Sequence, residues 1–574
     1  MIDAHEKGNT LEKERSFAGI PQLSVRSLII GILGSCLITA SSMYTALRMS
    51  ALPWPTIFVS VLSMALLKIL GKTTFNEINI AKTAMSAGAM ISGGLAFTLP
   101  GLWITGEWSI QGAAGQYFLK VLAIALAGML LGTVLTWLLR KRFIEVEALP
   151  YPIGTAAAET IKAGESVGKK SGILFGTMAF SALFTYFRDS LRWIPDAIVS
   201  KWLYARNFLV GIWVSPMAVG IGYLIGPLYT GVWFLGAVLS YLLIIPLGTA
   251  LNFFATVEEA TAFKSTAGIG LMVGTGAGIP ISYIIYGINR ILSKNKQKEN
   301  IQKTQIDPRS SHRGNRGKIT SKILVILPVV ISFVLTVACG LGVIPSILLI
   351  IGVFLTSAMA ATITGQTGID PMEIFGIIVL LAIRAFVNID ATSAFFIAAC
   401  VAISCGYTGD LFNDYKSGHI LGSNPSAQLV SQVAGGIVGT VVAAASMFAV
   451  INQFGGVGAE KGLPAAQAFA VSQMVKGIGN PQVFWAAIVI GILLYLFKVP
   501  AMTLGIGMYL PFEISSVVLL GGLVRFITDM FRRRLAPGET AKNDETGSIA
   551  ASGLLGGEGI TGVAIAIIKM ITGG

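Results

Sequence analysis

The chain has 574 residues, of which 54% are hydrophobic and only 12% charged. Soluble domains carry about 25% charged residues, so a string of water-soluble domains is excluded. Apolar runs of about 17–25 residues recur from residue 27 onward, the length a helix needs to cross a bilayer, and the 67 glycines suit closely packed membrane helices.

From the N-terminus, residues 1–26 open with MIDAHEKGNTLEKERS, a polar segment of mixed charge without a signal-peptide core. It is predicted to be cytoplasmic, with the first apolar run retained as a span. Candidate spans follow near 27–47, 54–70, 83–104, 117–139, 170–187, 205–226, 228–250 and 266–289. Lys68, Lys72, Arg140, Lys141 and Arg142 follow the second and fourth runs and place the N-terminus in the cytoplasm. Much of the net charge of +13 lies in RILSKNKQKENIQKTQIDPRSSHRGNRGKITSK, between two apolar runs. Residues 290–320 therefore read as a basic cytoplasmic loop rather than a nucleic-acid site. Spans resume near 321–340, 344–363, 371–386, 391–407, 433–452, 483–498, 503–527 and 547–571. Cys36, Cys339, Cys400 and Cys405 all lie in apolar runs and read as small buried hydrophobes.

The two sides of the basic loop repeat each other. WPTIFVSVLSMALL (54–67) aligns with DPMEIFGIIVLLAI (370–383), and LPYPIGTAAAETIK (149–162) with LPAAQAFAVSQMVK (463–476). VGIGYLIGPLYTGVWFLGAVL (219–239) aligns with LGIGMYLPFEISSVVLLGGLV (504–524), and STAGIGLMVGTGAG (265–278) with AASGLLGGEGITGV (550–563). The expected fold is an all-α polytopic membrane protein of about 16 transmembrane helices in two repeated halves. The halves span 27–289 and 321–574, the second with one extra helix. Strict counting would leave the basic residues Arg532, Arg533 and Arg534, and the stretch 188–206, outside the cell. Segments 149–165 and 463–480 are therefore predicted to be re-entrant or broken.

The stretch ALPYPIGTAAAETIKAGE (148–165) carries such a break, because each proline removes a donor and the glycine loosens the chain. A half-helix starting near Thr155 would aim free N–H groups at an anionic ligand. An ordinary cytoplasmic loop with a short surface helix is the other reading.

These motifs resemble the oligopeptide transporter family, which includes the yellow-stripe-like metal-chelate carriers, and the chain is similar to a prokaryotic member. ALPYPIGTAAAETIKAGE resembles its P-F/Y-P-x-G-T-A-x-A-E-x-x-K-A-G signature. FNEINIAKTAMSAG (75–88), GDLFNDYKSGHILGSNPSAQLVSQVAGGIVG (409–439), LGIGMYLPFEISSVVLLGGLVRF and ASGLLGGEGITG resemble further family blocks, in family order. The resemblance implies about sixteen helices and proton-driven import of small peptides, glutathione-like molecules or metal chelates. His419 stands where the family often has Tyr, and Ser426 where a basic residue often follows Pro425. An N-P-G motif of some peptide-transporting members is absent, so peptide and metal chelate both stay open.

Ionisable groups inside spans are functional candidates by default. Glu558 interrupts an apolar stretch and, with Asp410 and Asp414, is a candidate proton-coupling residue. Asp410 and Asp414 would share a helix face and repel unless protonated, paired or metal-bound. Glu159 and Lys162 share a face at i, i+3 and could hold the two charges of a peptide. With Tyr151, Gly154, Thr155, Gln428, Tyr509 and Glu513 they form the candidate substrate-binding set, Glu513 lining the same cavity as Glu558. Glu77 and Asn79 are weaker candidates. No catalytic residue, cofactor or resident metal is expected. GESVGKKS (164–171) misses the phosphate-loop spacing, YTGD (407–410) lacks the first glycine of an intramembrane protease motif, and three histidines do not form HExxH. GTGAG (274–278) reads as helix packing. The reading is a secondary active, proton-coupled symporter in the cell membrane, with a homodimer left open; channel and membrane enzyme are the other classes.

Overall fold

The computed structural model describes residues 22–49, 56–110, 112–162, 167–294, 315–367, 370, 372–476, 480–532 and 537–572. The α-helices of nine residues or more are, in chain order, α1 (Val25–Met49), α2 (Thr56–Ile69), α3 (Phe75–Ala96), α4 (Ala113–Arg140), α5 (Pro152–Lys162), α6 (Val167–Thr185), α7 (Pro216–Ile225), α8 (Pro227–Val238) and α9 (Val257–Lys294). Helix α10 (Asn315–Ala338) comes next; residues 295–314, most of the predicted basic loop, lie outside the described residues, and the ends of that prediction fall within α9 and α10. Then come α11 (Val343–Thr367), α12 (Met372–Arg384), α13 (Ala391–Leu421), α14 (Pro425–Gln453), α15 (Ala466–Lys476), α16 (Pro481–Leu496), α17 (Ala501–Tyr509), α18 (Phe512–Arg532) and α19 (Pro537–Thr572). A two-stranded antiparallel hairpin, β1 (Ala197–Val199) and β2 (Gly211–Trp213), joins α6 to α7.

Eight helical segments among the described residues are long and apolar enough to cross a membrane. Some expected spans take another form. The run near 205–226 is mostly the hairpin and its flanks, because Asn207 turns at φ 62° and Ser215 caps α7 through Ala218. The run near 503–527 breaks between α17 and α18, where Leu510 is extended and Pro511 cannot continue the helix.

Helix α13 runs through the centre. Its sequence AFFIAACVAISCGYTGDLF has no polar stripe, and every residue from Ser393 to Tyr415 is buried, as in a helix covered on all sides. Helix α3 is almost as deeply enclosed. It crosses α14 at Gly88 and Gly439, where a Cβ on Gly439 would strike the Gly88 backbone. The outer helices turn large apolar side chains outward, such as Ile344, Ile347, Ile351 and Leu355 on α11 and Trp485, Val489 and Leu493 on α16. Such faces suit hydrocarbon, where helices satisfy their own backbone.

Packing partners recur on the two sides of α10. Helix α1 packs on α3 and α11 on α13; α3 packs on α14 and α13 on α4. Helix α6 packs on α19 and α16 on α9, while α7 meets α18 and α17 meets α8. The proline breaks match as well. Tyr151 after Pro150 and Ala465 after Pro464 both sit at φ 41°. The Tyr151 N–H donates to the Gly365 carbonyl at 2.8 Å, near the end of α11, and the Ala465 N–H to that of Leu47 at 3.2 Å, near the end of α1.

Candidate functional site

Helix α13 carries Asp410, Asn413, Asp414 and Ser417 on adjoining faces. Lys82, about two turns into α3, meets Asp414 Oδ1 at 2.9 Å, with the two side chains 0% and 2% exposed. Lys82 Nζ also donates to Ser417 Oγ at 2.8 Å, and that hydroxyl donates to Asn79 Oδ1 at 2.7 Å. Asn79 Nδ2 continues to Ser423 Oγ at 3.3 Å. Gln428, on α14, donates to the Asp414 main-chain carbonyl at 2.9 Å.

At and beside this pair lie carboxylate oxygens that have no partner among the described residues. Both oxygens of Asp410 and both of Asp370 are buried without a hydrogen bond among the described residues, as is Asp414 Oδ2. Asp370 rests against Gly409, and Asp410 lies within electrostatic reach of both Asp370 and Asp414. Glu373, on the first turn of α12, is a further buried acid in reach of Asp370. Four acids and one lysine thus gather where the core helices meet.

The start of α5 closes onto this group. The helix begins at Pro152, three residues earlier than the sequence suggests. Its Gly154 N–H donates to Asn413 Oδ1 at 3.0 Å, so a protein carbonyl stands where the sequence reading put a ligand anion. Gly154 is required sterically, since a Cβ there would collide with the Asn413 backbone. Tyr151 is fully buried, its hydroxyl donating to the Ala361 carbonyl at 3.0 Å and its ring stacked on Phe412. Thr155 Oγ1 donates to the Pro150 carbonyl at 2.9 Å. Lys162 is exposed at the end of α5. Glu159 lies within α5, and its side chain is outside the described part of the structure.

Glu558 lies elsewhere, on α19, and it is not a lone carboxylate. It accepts from Arg188 Nη2 at 2.9 Å, from the Ser215 hydroxyl at 2.9 Å, and from the Met217 N–H at 2.9 Å. The carboxylate thereby sits at the N-terminus of α7, where the helix dipole favours an anion. Arg188 is held in turn by Asp189 at 2.6 Å and by the Val214 carbonyl at 2.7 Å. In front of them opens a cavity of about 360 Å³, lined by Arg48, Arg188, Asp189, Gln453 and Phe454 among others.

A family model described as "OPT oligopeptide transporter protein" matches residues 22–569. The chain belongs to the oligopeptide transporter family. It is also 26% identical, over 93% of its own length and 94% of the relative's, to a protein of Haemophilus influenzae named "Putative oligopeptide transporter". It is accordingly a multi-pass membrane transporter.

Tyr509 and Glu513 of this transporter form a third locus. Lys264, buried on α9, donates to the Tyr509 main-chain carbonyl at 2.8 Å and to the Tyr241 hydroxyl at 2.7 Å. The Tyr509 hydroxyl donates to Pro464 at 3.2 Å, beside the second proline break. Glu513 accepts from the Tyr204 hydroxyl, and neither it nor Glu558 is among the residues that line the cavity beside Arg188. After the Pro511 break Glu513 turns toward the hairpin; Ser516, nearly one turn on, donates to Gly211 at 2.9 Å. Glu77 is tied to Arg26 at 2.6 Å near the start of α1, well before Lys82.

Sequence reasoning missed Lys82, Asp370, Arg48, Arg188 and Lys264. Each is an ionisable residue within or beside an apolar run, the signal that singled out Glu558.

Proposed function

We propose that this transporter is a proton-coupled importer of short oligopeptides, and that the acid group on α13 carries the proton. The observation that supports this most is the pair of buried, unpartnered carboxylates, Asp370 and Asp410, beside the Lys82–Asp414 ion pair. A buried carboxylate with no donor or cation is costly when charged, so it invites a proton. A proton passing to Asp414 would break its ion pair with Lys82, leaving the Ser417 hydrogen bond, and loosen the α3–α13 contact. Losing it would restore the ion pair. Because α13 also holds α5 through Asn413, the charge state of one helix is transmitted to the break at Pro150.

Glu558 serves a different purpose in this reading. Its three donors hold it as a fixed anion that orients Arg188 at the cavity, whereas Asp410 has no donor among the described residues. Two repeated halves on either side of α10 are supported by the recurring packing partners and by the matched φ of Tyr151 and Ala465. Import of a peptide is supported by the family match and by the name of the Haemophilus relative. The basic residues Lys68, Lys72 and Arg140–Arg142 support a cytoplasmic N-terminus in the cell membrane. Uptake of short peptides into proteoliposomes under an imposed proton gradient tests the proposal, with Asp410→Asn as the decisive variant. Accumulation of an iron chelate in place of peptides would move the substrate class.

A further inference from the structure

We infer that Arg48 is the anchor for a carboxylate of the cargo, and that the cavity beside it receives the C-terminal end of a short peptide. This deepens the proposed function and rests on its peptide reading. Arg48 lies near the end of α1 and is 7% exposed. Its guanidinium is packed among rings, with its carbon 4.5 Å from the centre of Trp213, 5.2 Å from Phe454 and 5.5 Å from Tyr44. Nη1 donates to the Tyr44 hydroxyl at 2.7 Å, and that hydroxyl faces Asp189 at 3.4 Å. Asp189 is already held by Arg188, so Arg48 has no carboxylate within ion-pair distance among the described residues. Its Nε has no hydrogen-bond partner there either.

The contrast with Arg188 is informative. Three arginines line this cavity: Arg188 is saturated by Glu558, Asp189 and a carbonyl, Arg192 is exposed, and Arg48 is buried yet keeps a donor with no partner among the described residues. Aromatic faces stabilise a guanidinium without spending its N–H groups. They leave the planar fork available for a carboxylate, the partner whose geometry it matches. Gln453 Oε1 is a second unpartnered buried atom on the same wall, an acceptor suited to an amide N–H or an ammonium. Asp196, 74% exposed, adds an anion at the rim. An unused cationic donor, an unused acceptor and a rim carboxylate together match a zwitterion. The volume of about 360 Å³ falls within the small-ligand range of about 300–1,000 Å³.

The test is binding of alanylalanine and of its C-terminal amide to the purified full chain, in wild-type, Arg48→Gln and Arg48→Lys forms. Wild type is expected to prefer the acid over the amide by at least about tenfold. Arg48→Gln should erase that preference, and Arg48→Lys should keep only part of it, because an ammonium offers charge without the fork. Should the glutamine form not fold, the lysine form decides by the same ratio. A variant that binds and keeps the wild-type preference overturns the Arg48 assignment and leaves peptide transport standing. A wild type that binds the amide as well as the acid also overturns it. If wild type neither binds nor transports either compound, the peptide reading itself falls, and this inference falls with it.

Discussion

Lys82 Nζ lies 2.9 Å from Asp414 Oδ1, and neither side chain reaches solvent. The contact joins α3 to α13, so it is both a structural tie and a charge that a proton can switch. Removing one member of a buried pair strands the other, at a cost of about 3–5 kcal/mol. Lys82→Gln alone should therefore lower the thermal unfolding temperature sharply. Lys82→Gln combined with Asp414→Asn should recover much of the loss, because no buried charge is then left unpaired. Thermal unfolding of the purified variants checks this, and equal losses in single and double variants would refute the coupling.

Asp410 and Glu558 should separate by function. Asp410→Asn is expected to fold, since it removes a carboxylate that has no partner, and to abolish gradient-driven accumulation while exchange persists. Glu558→Gln weakens the hold on Arg188. It should reduce stability and peptide affinity, while whatever uptake remains still responds to the gradient. If Glu558→Gln instead abolishes accumulation and spares exchange, the proton is carried on α19.

Gly154 tolerates no side chain. The neighbours a Cβ would strike are the backbone atoms of Asn413, so no substitution at Asn413 makes room. Gly154→Ala should destabilise by about 1–3 kcal/mol or more through overpacking. Adding Asn413→Ala should not rescue it and should worsen it, since the Gly154 N–H then loses its acceptor. Thermal unfolding of the single and double variants reads both effects.

Asp390 caps α13, its carboxylate accepting from the Ser393 N–H at 3.0 Å. Partial burial raises its pKa, but the Ser393 hydroxyl and the N–H groups of Ser393, Asp390 and Thr392 together outweigh that, and the net shift is downward. The stabilisation is thus complete above the unfolded value, about 3.9, and is lost as pH falls through the lower folded value. Asp390→Ala should cost about 0.5–2 kcal/mol at neutral pH. Asp390→Asn should keep the cap and lose that acid-limb dependence, which unfolding measured across acidic pH would reveal.

Several of these features were legible in the chain. The two prolines of PYPIG announce a break, and Tyr151 does leave helical backbone there. The four-residue spacing of Asp410 and Asp414 places them one turn apart on a single helix. What periodicity could not reveal is which distant segment meets each charge. Lys82 donates to Ser417 across 335 residues, and Arg188 to Glu558 across 370. Hydropathy reports depth, whereas pairing depends on how α3 crosses α13 and how α19 passes α7. Hydropathy also merges short elements into single runs, which is why the hairpin before α7 escaped it.

In the proposed mechanism an unpaired acid on α13 couples protons to peptide movement. Alanylalanine uptake into proteoliposomes, acidic outside, for wild type and Asp410→Asn tests this coupling. Wild type should concentrate the peptide only with the gradient imposed, and the variant should equilibrate it without concentrating it. Wild-type accumulation indifferent to the gradient, or an Asp410→Asn form that accumulates like wild type, would contradict it.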